Sequence, residues 1–229
     1  MFKAVIFDFD GVIVDSEPLH YRAFLDVARS FGKTFDYDEY LRTFIGYDDR
    51  DAFRVMLTGQ AEPGDAALEQ RIVQLGRDKA VAFERIVNEG IEPTPGVMRF
   101  IDEAAAAGPI AICSGATRFD IELIVNRLGL SERFETIVSA DDVERSKPHP
   151  ASYALAVERL AQQHAALELK PGECLAIEDT AAGLRSARDA GLYTGGLAST
   201  GPRELLRDAH RVIDSFDDLS IKAARRWMG

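Results

Sequence analysis

The sequence predicts an α/β fold, in which a core built on a parallel sheet is interrupted by an inserted all-helical subdomain. Two observations carry this prediction: short apolar runs alternate with helical patterns, and about residues 17–89 carry helical patterns without a convincing strand. Alternation of strand and helix is typical of a parallel sheet covered by helices on both faces. The length of 229 residues allows one core domain with a smaller insertion.

Six short apolar runs are the predicted buried strands. Each is bounded by polar or turn residues, as expected for strands of a sheet that is covered on both faces. The runs span residues 3–9, 109–113, 136–139, 174–177, 193–197 and 211–213.

Helical patterns separate these strands and complete the predicted core. They span about residues 96–107, 118–128, 150–163 and 181–190. Gly108, Gly129 and Gly191 follow three of them, where a left-handed residue that ends a helix is usually glycine. Strands and helices in this order predict a Rossmann-like core.

The inserted stretch is expected to form its own small helical core. Its apolar residues recur at helical spacing, in two stripes made of Leu19, Phe24, Val27, Ala28 and Phe31, and of Leu68, Ile72, Leu75 and Val81. Pro, Gly and polar residues mark its ends at 15–18 and 88–90, and 93–96 reads as a turn and helix start. We therefore predict a catalytic core at residues 1–16 and 89–229 and a helical cap at 17–88.

Composition excludes several classes of protein. The chain is 46% hydrophobic and 28% charged, which is ordinary for a globular domain and excludes a disordered tail or a disulfide-stapled miniprotein. Its net charge of −11 argues against nucleic-acid binding, which needs a basic face. Small anionic substrates stay possible, because they need only a local positive site.

The apolar runs lack the features of a membrane span and of a signal peptide. None approaches the roughly 20 residues of a membrane span, and the run at residues 4–7 has no small-residue cleavage site behind it. We therefore expect neither a membrane span nor a signal peptide, and a cytoplasmic protein. Cys113 and Cys174 lie in apolar runs and are expected to be small core residues.

Polar groups follow four of the predicted strands. In an open parallel sheet, ligands bind beyond the carboxyl ends of the strands. The groups there, in chain order, are Asp8-Phe9-Asp10-Gly11, Ser114-Gly115, then Lys147-Pro148 after a loop, and Glu178-Asp179. The fold is therefore expected to bring four acids, a hydroxyl and a lysine to one rim.

These residue types suit phosphoryl transfer. A carboxylate can attack phosphorus, and clustered carboxylates hold a hard divalent cation such as Mg²⁺. A lysine neutralises the charge on the transferring group, while a hydroxyl and backbone N–H groups hydrogen-bond the phosphate. Gly11 and Gly115 allow the backbone to approach it closely.

The ordered set of motifs resembles the haloacid dehalogenase superfamily, over essentially the whole chain and including a helical cap inserted after the first strand. Within it, the sequence is most similar to the group that holds β-phosphoglucomutase and small sugar-phosphate or phosphoglycolate phosphatases. The resemblance implies that Asp8 is the nucleophile and a metal ligand. It implies that Asp10 is the general acid and base, with its main-chain carbonyl on the metal. Asp179 would ligate Mg²⁺, and Glu178 would be a ligand or would support one.

The same resemblance assigns the phosphate-binding groups. Ser114 would bind the transferring phosphate together with the backbone at Gly11 and Gly115, and Lys147 would pair with both that phosphate and Asp8. Dehalogenases of the family lack the second acid of the first motif, so Asp10 speaks against halide chemistry. Ser114 and Asp179 also have a plainer interpretation as residues that cap helices.

Three residues of the predicted cap match further. In β-phosphoglucomutase a cap histidine paired with a cap lysine contacts the acid/base aspartate, and a cap arginine grips the second phosphate of the substrate. The matching residues here are His20, Lys79 and Arg50. Arg50 lies one residue further from Gly46 than the mutase pattern expects. The alternative for Arg50 and Lys79 is a charge on a solvated helix face.

We therefore predict an Mg²⁺-dependent phosphatase that acts on a small phosphorylated metabolite through an aspartyl phosphate. The first alternative is a mutase that returns the phosphate to a second hydroxyl of the sugar. The second alternative is a catalytically inactive relative that binds phosphometabolites as a regulator.

Overall fold

The computed structural model describes residues 2–45 and 47–228, without the side chain of Met228. The chain forms two compact units, one made of Met1–Asp15 with Ile91–Gly229 and the other of Ser16–Gly90. In the described part of the chain no helix has the length and apolar character needed to cross a membrane.

The first unit is built on a six-stranded sheet in the order β3-β2-β1-β4-β5-β6, with every strand pair parallel. The strands are β1 Ala4–Phe7, β2 Ile110–Cys113, β3 Thr136–Val138, β4 Cys174–Glu178, β5 Tyr193–Leu197 and β6 Arg211–Ile213. All six predicted strands are present, with ends within about two residues of the prediction. The predicted α/β fold is confirmed.

The helices, in chain order, are α1 Glu17–Arg29, α2 Tyr37–Thr43, α3 Asp49–Thr58, α4 Ala66–Glu89, α5 Val97–Ala105, α6 Arg118–Arg127, α7 Ala151–Gln163, α8 Ala181–Asp189 and α9 Ile221–Arg225. The helices of the first unit pack on both faces of the sheet, because successive strand side chains point to opposite sides. Ile6 belongs to a core cluster with residues of α7 and α8. Phe7, the next residue, packs edge-to-face against Phe100 of α5. Cys113 and Cys174 are buried and free, as predicted.

Glycine ends two of the predicted helices as expected. Gly129 and Gly191 follow α6 and α8 with φ of +70° and +87°, in the left-handed region that favours glycine. The prediction for Gly108 is wrong, because this glycine has no positive φ. A Cβ at Gly108 would lie 2.3 Å from the carbonyl oxygen of Lys3, so close packing explains the glycine.

The second unit contains α1 to α4 and, among its described residues, no strand. Asp36, Asp48 and Asp65 cap three of these helices by accepting a hydrogen bond from the backbone N–H three residues on. Their apolar faces meet in one core, which includes Phe24, Phe53 and Ile72 among others.

One residue of the predicted helical stripes is misplaced. Val81 is 68% exposed, whereas Ile72, Leu75 and Phe83 of the same helix are buried. Residues of an α-helix advance by about 100° each, so Val81 points away from the side that carries Leu75 and Phe83. Lys79, which the prediction left off the stripe, is instead buried on the inner side of α4.

Candidate active site

The loop after β1 turns sharply beside the end of the strand. Asp8 is buried, and Asp10 is partly exposed. Gly11 has a φ of +75°, and its N–H donates to the carbonyl of Val14 at 2.6 Å. A Cβ at Gly11 would lie 2.0 Å from Asp179 Oδ2, so only glycine allows the loop to approach that carboxylate.

Lys147 joins the first strand to the second and the fourth. Its ammonium Nζ donates to Asp8 Oδ1 at 2.8 Å, to Glu178 Oε1 at 2.7 Å and to the carbonyl oxygen of Cys113 at 2.9 Å. Three acceptors match the three donors of an ammonium group. The side chain is only 12% exposed, so these interactions lie in a largely desolvated environment.

Glu178 is fully buried and held from both sides. Its Oε1 also accepts a hydrogen bond from the Tyr153 hydroxyl at 3.0 Å. Its Oε2 accepts from the hydroxyl of Thr180 at 3.1 Å and from the N–H of the same residue at 3.3 Å. A Cβ at Gly183 would lie 1.7 Å from Oε1, which leaves glycine as the residue that fits there. Both oxygens of Glu178 are therefore hydrogen-bonded, and one of them binds Lys147.

Asp179 has a different environment from that of its neighbour. The hydroxyl of Thr200 donates to Asp179 Oδ2, while Oδ1 is buried with no hydrogen-bond partner. Burial raises the pKa of Asp179 to about 6, with the Thr200 hydrogen bond opposing the shift and the charge of Glu178 adding to it. The cap of α8 is Thr180, whose hydroxyl accepts from the N–H of Gly183 at 3.0 Å. Capping therefore does not explain Asp179.

The carboxylates of this rim are electrostatically unfavourable to one another. Burial, followed by the charge of Glu178, raises the pKa of Asp8 well above its usual value, and Lys147 opposes the shift. Burial lowers the pKa of Lys147, but the charges of Asp8 and Glu178 outweigh burial and raise it. The lysine therefore stays protonated, and the site favours additional positive charge.

A metal ion would satisfy this demand. Asp8, Glu178 and Asp179 each offer a carboxylate oxygen, and these three atoms all lie within 4.8 Å of one another. The unpartnered Asp179 Oδ1 is a buried acceptor that a cation would satisfy. The residues present therefore fit a hard divalent cation, which prefers oxygen ligands.

Ser114 and Gly115 directly follow β2 on the same rim. Ser114 is buried, its N–H donates to the carbonyl of Val138, and its hydroxyl accepts from the N–H of Ala116 at 3.0 Å. A Cβ at Gly115 would have open space around it. The cap of α6 is Thr117, so the plainer interpretation of Ser114 as a helix cap does not apply.

Four further contributors to this site were not predicted from the sequence. Tyr153 and the carbonyl of Cys113 hold Glu178 and Lys147, and their roles have no sequence motif. Ser199 and Thr200 follow β5, and Ser199 Oγ donates to the carbonyl of Gly11 at 2.5 Å. Extending the rule about strand ends to the fifth strand would have found this pair.

The second unit carries three predicted site residues and brings two of them, His20 and Lys79, together. Lys79 Nζ lies 3.0 Å from His20 Nδ1 and donates to Asp49 Oδ1 at 2.7 Å. The imidazole of His20 stacks on the ring of Phe83, with 4.3 Å between centroids. Arg50 is exposed and makes no contact with this group among the interactions described, and Gly46 lies outside the described residues. The roles of all three toward a substrate stay predictions.

His20 is held in its neutral form. The Lys79 ammonium can only donate, so Nδ1 accepts and the ring proton resides on Nε2. Burial, aided by the charge of Lys79, lowers the pKa of His20 to about 3. Below the ordinary histidine pKa of about 6.5, the unfolded chain therefore binds a proton that the folded chain does not. This part of the stability is present above about pH 6.5 and is lost as the pH falls toward about 3.

His20→Asn is expected to reduce the loss of stability in acid. Asparagine keeps an acceptor for Lys79 but does not titrate. Between about pH 7.5 and about pH 5, the free energy of unfolding of the wild type should fall about 2 kcal/mol more than that of the variant. Urea unfolding at both pH values measures this, with His164→Asn, at a partly exposed histidine, as the control. Equal pH dependence in the wild type and His20→Asn would contradict the burial of a neutral imidazole.

Comparison with known proteins identifies the family. The family model described as haloacid dehalogenase-like hydrolase matches residues 2–191. The chain is 28% identical over 193 residues to fructose-1-phosphate phosphatase YqaB of Escherichia coli. This alignment covers 83% of this chain and 94% of that protein. CbbY of Rhodobacter sphaeroides has been solved with phosphate and, as a variant, with xylulose-(1,5)bisphosphate. Both structures are 27% identical to this chain at a TM-score of 0.79, covering 97% of this chain and 99% of CbbY.

A third similarity concerns the fold alone. β-Phosphoglucomutase of Clostridium difficile is 24% identical, with a TM-score of 0.76 and coverage of 100% of this chain and 97% of that one. The family match spans most of the chain and includes Asp8, Ser114, Lys147 and Asp179. The chain therefore belongs to the haloacid dehalogenase-like hydrolase family.

Proposed function

We propose that the protein is an Mg²⁺-dependent phosphatase that hydrolyses a small phosphorylated metabolite through an aspartyl phosphate on Asp8. The observation that carries the proposal is the arrangement of Lys147, bonded to Asp8 and Glu178, beside the unpartnered buried oxygen of Asp179. This arrangement brings to one rim a nucleophile, a cation for the transferring group and a carboxylate oxygen that is available to a metal ion.

Asp8 is the proposed nucleophile. One carboxylate oxygen is bonded to Lys147, which orients the group and leaves the other oxygen for attack on phosphorus. The ammonium of Lys147 then neutralises charge on the equatorial oxygens of the phosphoryl group as it transfers. Because Glu178 and the carbonyl of Cys113 fix that ammonium in advance, it needs little reorganisation during the reaction.

Ser114, Gly115 and Gly11 are the proposed phosphate cradle. The Ser114 hydroxyl accepts from the N–H of Ala116, so its own proton is available to a phosphate oxygen. The open space beside Gly115 leaves room for a ligand against the backbone. Asp10, partly exposed on the same loop, would protonate the leaving oxygen and later accept the proton of the attacking water.

Magnesium is the proposed cofactor. Asp8, Asp179 and the main-chain carbonyl of Asp10 would hold it, with Glu178 as a further ligand or as support. When bound, it supplies positive charge that keeps Asp8 ionised and screens the phosphate from the surrounding carboxylates. The oxygen-only set favours Mg²⁺ over softer metals.

The proposed substrate is a sugar phosphate or a compound of similar size. This rests on the relative that is named a fructose-1-phosphate phosphatase and on the xylulose-(1,5)bisphosphate complex of CbbY. We further propose that the helical unit, residues 17–88, acts as a cap that excludes bulk water during phosphoryl transfer.

Removing the metal is expected to abolish phosphatase activity. Treatment with a chelator should lower phosphate release from p-nitrophenyl phosphate and from a panel of sugar phosphates to background, because the carboxylates then repel the substrate. Mg²⁺ should restore activity, and Ca²⁺ should inhibit it, because its larger and looser coordination displaces the nucleophile from the phosphate.

Two results would contradict the proposal. Full activity in excess chelator would exclude the metal role. A protein that binds sugar phosphates and Mg²⁺ but releases no phosphate from any of them would instead be a phosphometabolite-binding regulator.

A phosphosugar mutase is the second candidate. The observation that favours it is the pair of His20 and Lys79 at 3.0 Å, the cap residues expected of β-phosphoglucomutase. The displaced Arg50 disfavours it, because a mutase must hold the second phosphate of its bisphosphate intermediate. With β-glucose 1-phosphate and a trace of glucose 1,6-bisphosphate, we expect free phosphate to exceed glucose 6-phosphate. Fast glucose 6-phosphate formation with little free phosphate would favour the mutase.

A further inference from the structure

Two hydroxyl side chains after β5 reach across to the candidate active site. Thr200 Oγ1 donates to Asp179 Oδ2, and Ser199 Oγ donates to the main-chain carbonyl of Gly11. Neither residue belongs to the four motifs that carry the family resemblance. We propose that Thr200 is a positioning residue, which fixes the carboxylate of Asp179 so that Oδ1 is presented to Mg²⁺. This inference rests on the proposed function, because it assumes the Mg²⁺ site.

The two oxygens of Asp179 have unequal environments. Oδ2 is occupied by the Thr200 hydroxyl, whereas Oδ1 is buried and has no hydrogen-bond partner. Without the Thr200 bond, the plane of the carboxylate would be less restricted about its Cβ–Cγ bond. The hydroxyl therefore fixes that plane and leaves the other oxygen as the acceptor without a partner.

Close packing restricts the same carboxylate from the other side. A Cβ at Gly11 would lie 2.0 Å from Asp179 Oδ2 and 2.9 Å from the Thr200 methyl carbon. Gly11, Asp179 and Thr200 thus form one tightly packed contact, and the Ser199 bond ties the chain after β5 to the Gly11 carbonyl. Through Ser199 and Thr200, the segment after β5 therefore contacts both the loop that carries Asp8 and the predicted metal ligand Asp179.

Presenting the ligand in advance affects metal affinity. Without the hydroxyl, binding Mg²⁺ would also have to pay for ordering the Asp179 side chain. Loss of a hydrogen-bond partner to a metal ligand typically weakens metal affinity about 10- to 100-fold. Thr200 does not touch the reacting atoms, so its effect is expected in the Mg²⁺ dissociation constant rather than at saturating Mg²⁺.

The test compares Thr200→Ala with Thr200→Ser, which differ from one another only by the hydroxyl. Mg²⁺ is titrated into the metal-free full-length wild type and both variants by isothermal calorimetry. Thr200→Ala should raise the dissociation constant about tenfold or more, and Thr200→Ser should stay near the wild type. The Mg²⁺ concentration for half-maximal phosphate release should shift in parallel, with kcat largely retained at saturating Mg²⁺.

The outcomes separate this proposal from the proposed function. A wild type that binds no Mg²⁺ would overturn both. A wild type that binds Mg²⁺ while Thr200→Ala and Thr200→Ser bind it equally would overturn the role of Thr200 alone. Thermal unfolding of the metal-free proteins detects a merely structural effect, which would lower the melting temperature of Thr200→Ala without changing its Mg²⁺ affinity. If Thr200→Ala fails to fold, Thr200→Val replaces it in the comparison.

Discussion

Asp8→Asn is expected to lower turnover of any phosphomonoester substrate by at least about 10⁴-fold. An amide is a very poor nucleophile toward phosphorus, and the proposal assigns the other carboxylates of the rim to the metal and to proton transfer rather than to attack. Asparagine keeps the shape of the side chain and an oxygen that accepts from Lys147, so the loss would report on nucleophilicity rather than on a collapsed site.

Stability gives an independent check on this variant. Burial and the charge of Glu178 raise the pKa of Asp8, so its ionised form is unfavourable in the metal-free fold. Asp8→Asn should therefore be at least as stable as the wild type without Mg²⁺.

Steady-state phosphate release measures activity, and mass spectrometry of acid-quenched reactions detects the phosphoryl adduct in the wild type alone. Asp189→Asn, at an exposed ion pair with Arg185, is the control. Wild-type turnover by Asp8→Asn would exclude the assignment.

Lys147→Met is expected to lower turnover about 10²- to 10³-fold and to destabilise the metal-free protein by about 3 kcal/mol. Methionine keeps most of the length of the side chain but not its charge. The transferring phosphoryl group then loses a fixed cation, while Asp8 and Glu178 remain buried without one. Lowering the pH should recover part of the stability, because a protonated Asp8 no longer repels Glu178.

The chain offers a matched control for this substitution. Like Lys147, Lys3 bonds a main-chain carbonyl, that of Leu167, but it bonds only one carboxylate, that of Glu173, and its side chain is 38% exposed. Lys3→Met should therefore cost less than about 1 kcal/mol and leave turnover unchanged. Urea unfolding and phosphate-release assays measure both effects. Equal losses in the two variants would show that burial of Lys147 confers no special role.

The sequence was a good guide where one local rule determines the outcome. The strands were predictable because short apolar runs bounded by turn residues have few other ways to be buried. The position of Asp8, Ser114 and Asp179 on one rim followed from the geometry of parallel strands, whose carboxyl ends meet at the same edge. The family resemblance implied the chemical roles that are proposed for them.

Local patterns were ambiguous where a residue contacts others far along the chain. A charge on a solvated face was the alternative for Lys79, yet Lys79 is buried beside His20, the partner that the family resemblance implied, and beside Asp49, which lie 59 and 30 residues away. Val81 looked like part of the helical core and is exposed. Helical periodicity identifies a face but does not determine which face meets its neighbours.

Local patterns were enough to predict the α/β fold, the succession of its strands along the chain and the chemical groups of the rim. These depend on apolar spacing, on glycine and on the chirality of parallel connections, all of which act over short segments. Which of those groups bond to one another depends on how the folded chain packs. Lys147 donates to one oxygen of Asp8, and Thr200 donates to one oxygen of Asp179 while the other has no hydrogen-bond partner. Such choices depend on hydrogen-bond distances between distant segments, which burial makes energetically decisive and which no local pattern records.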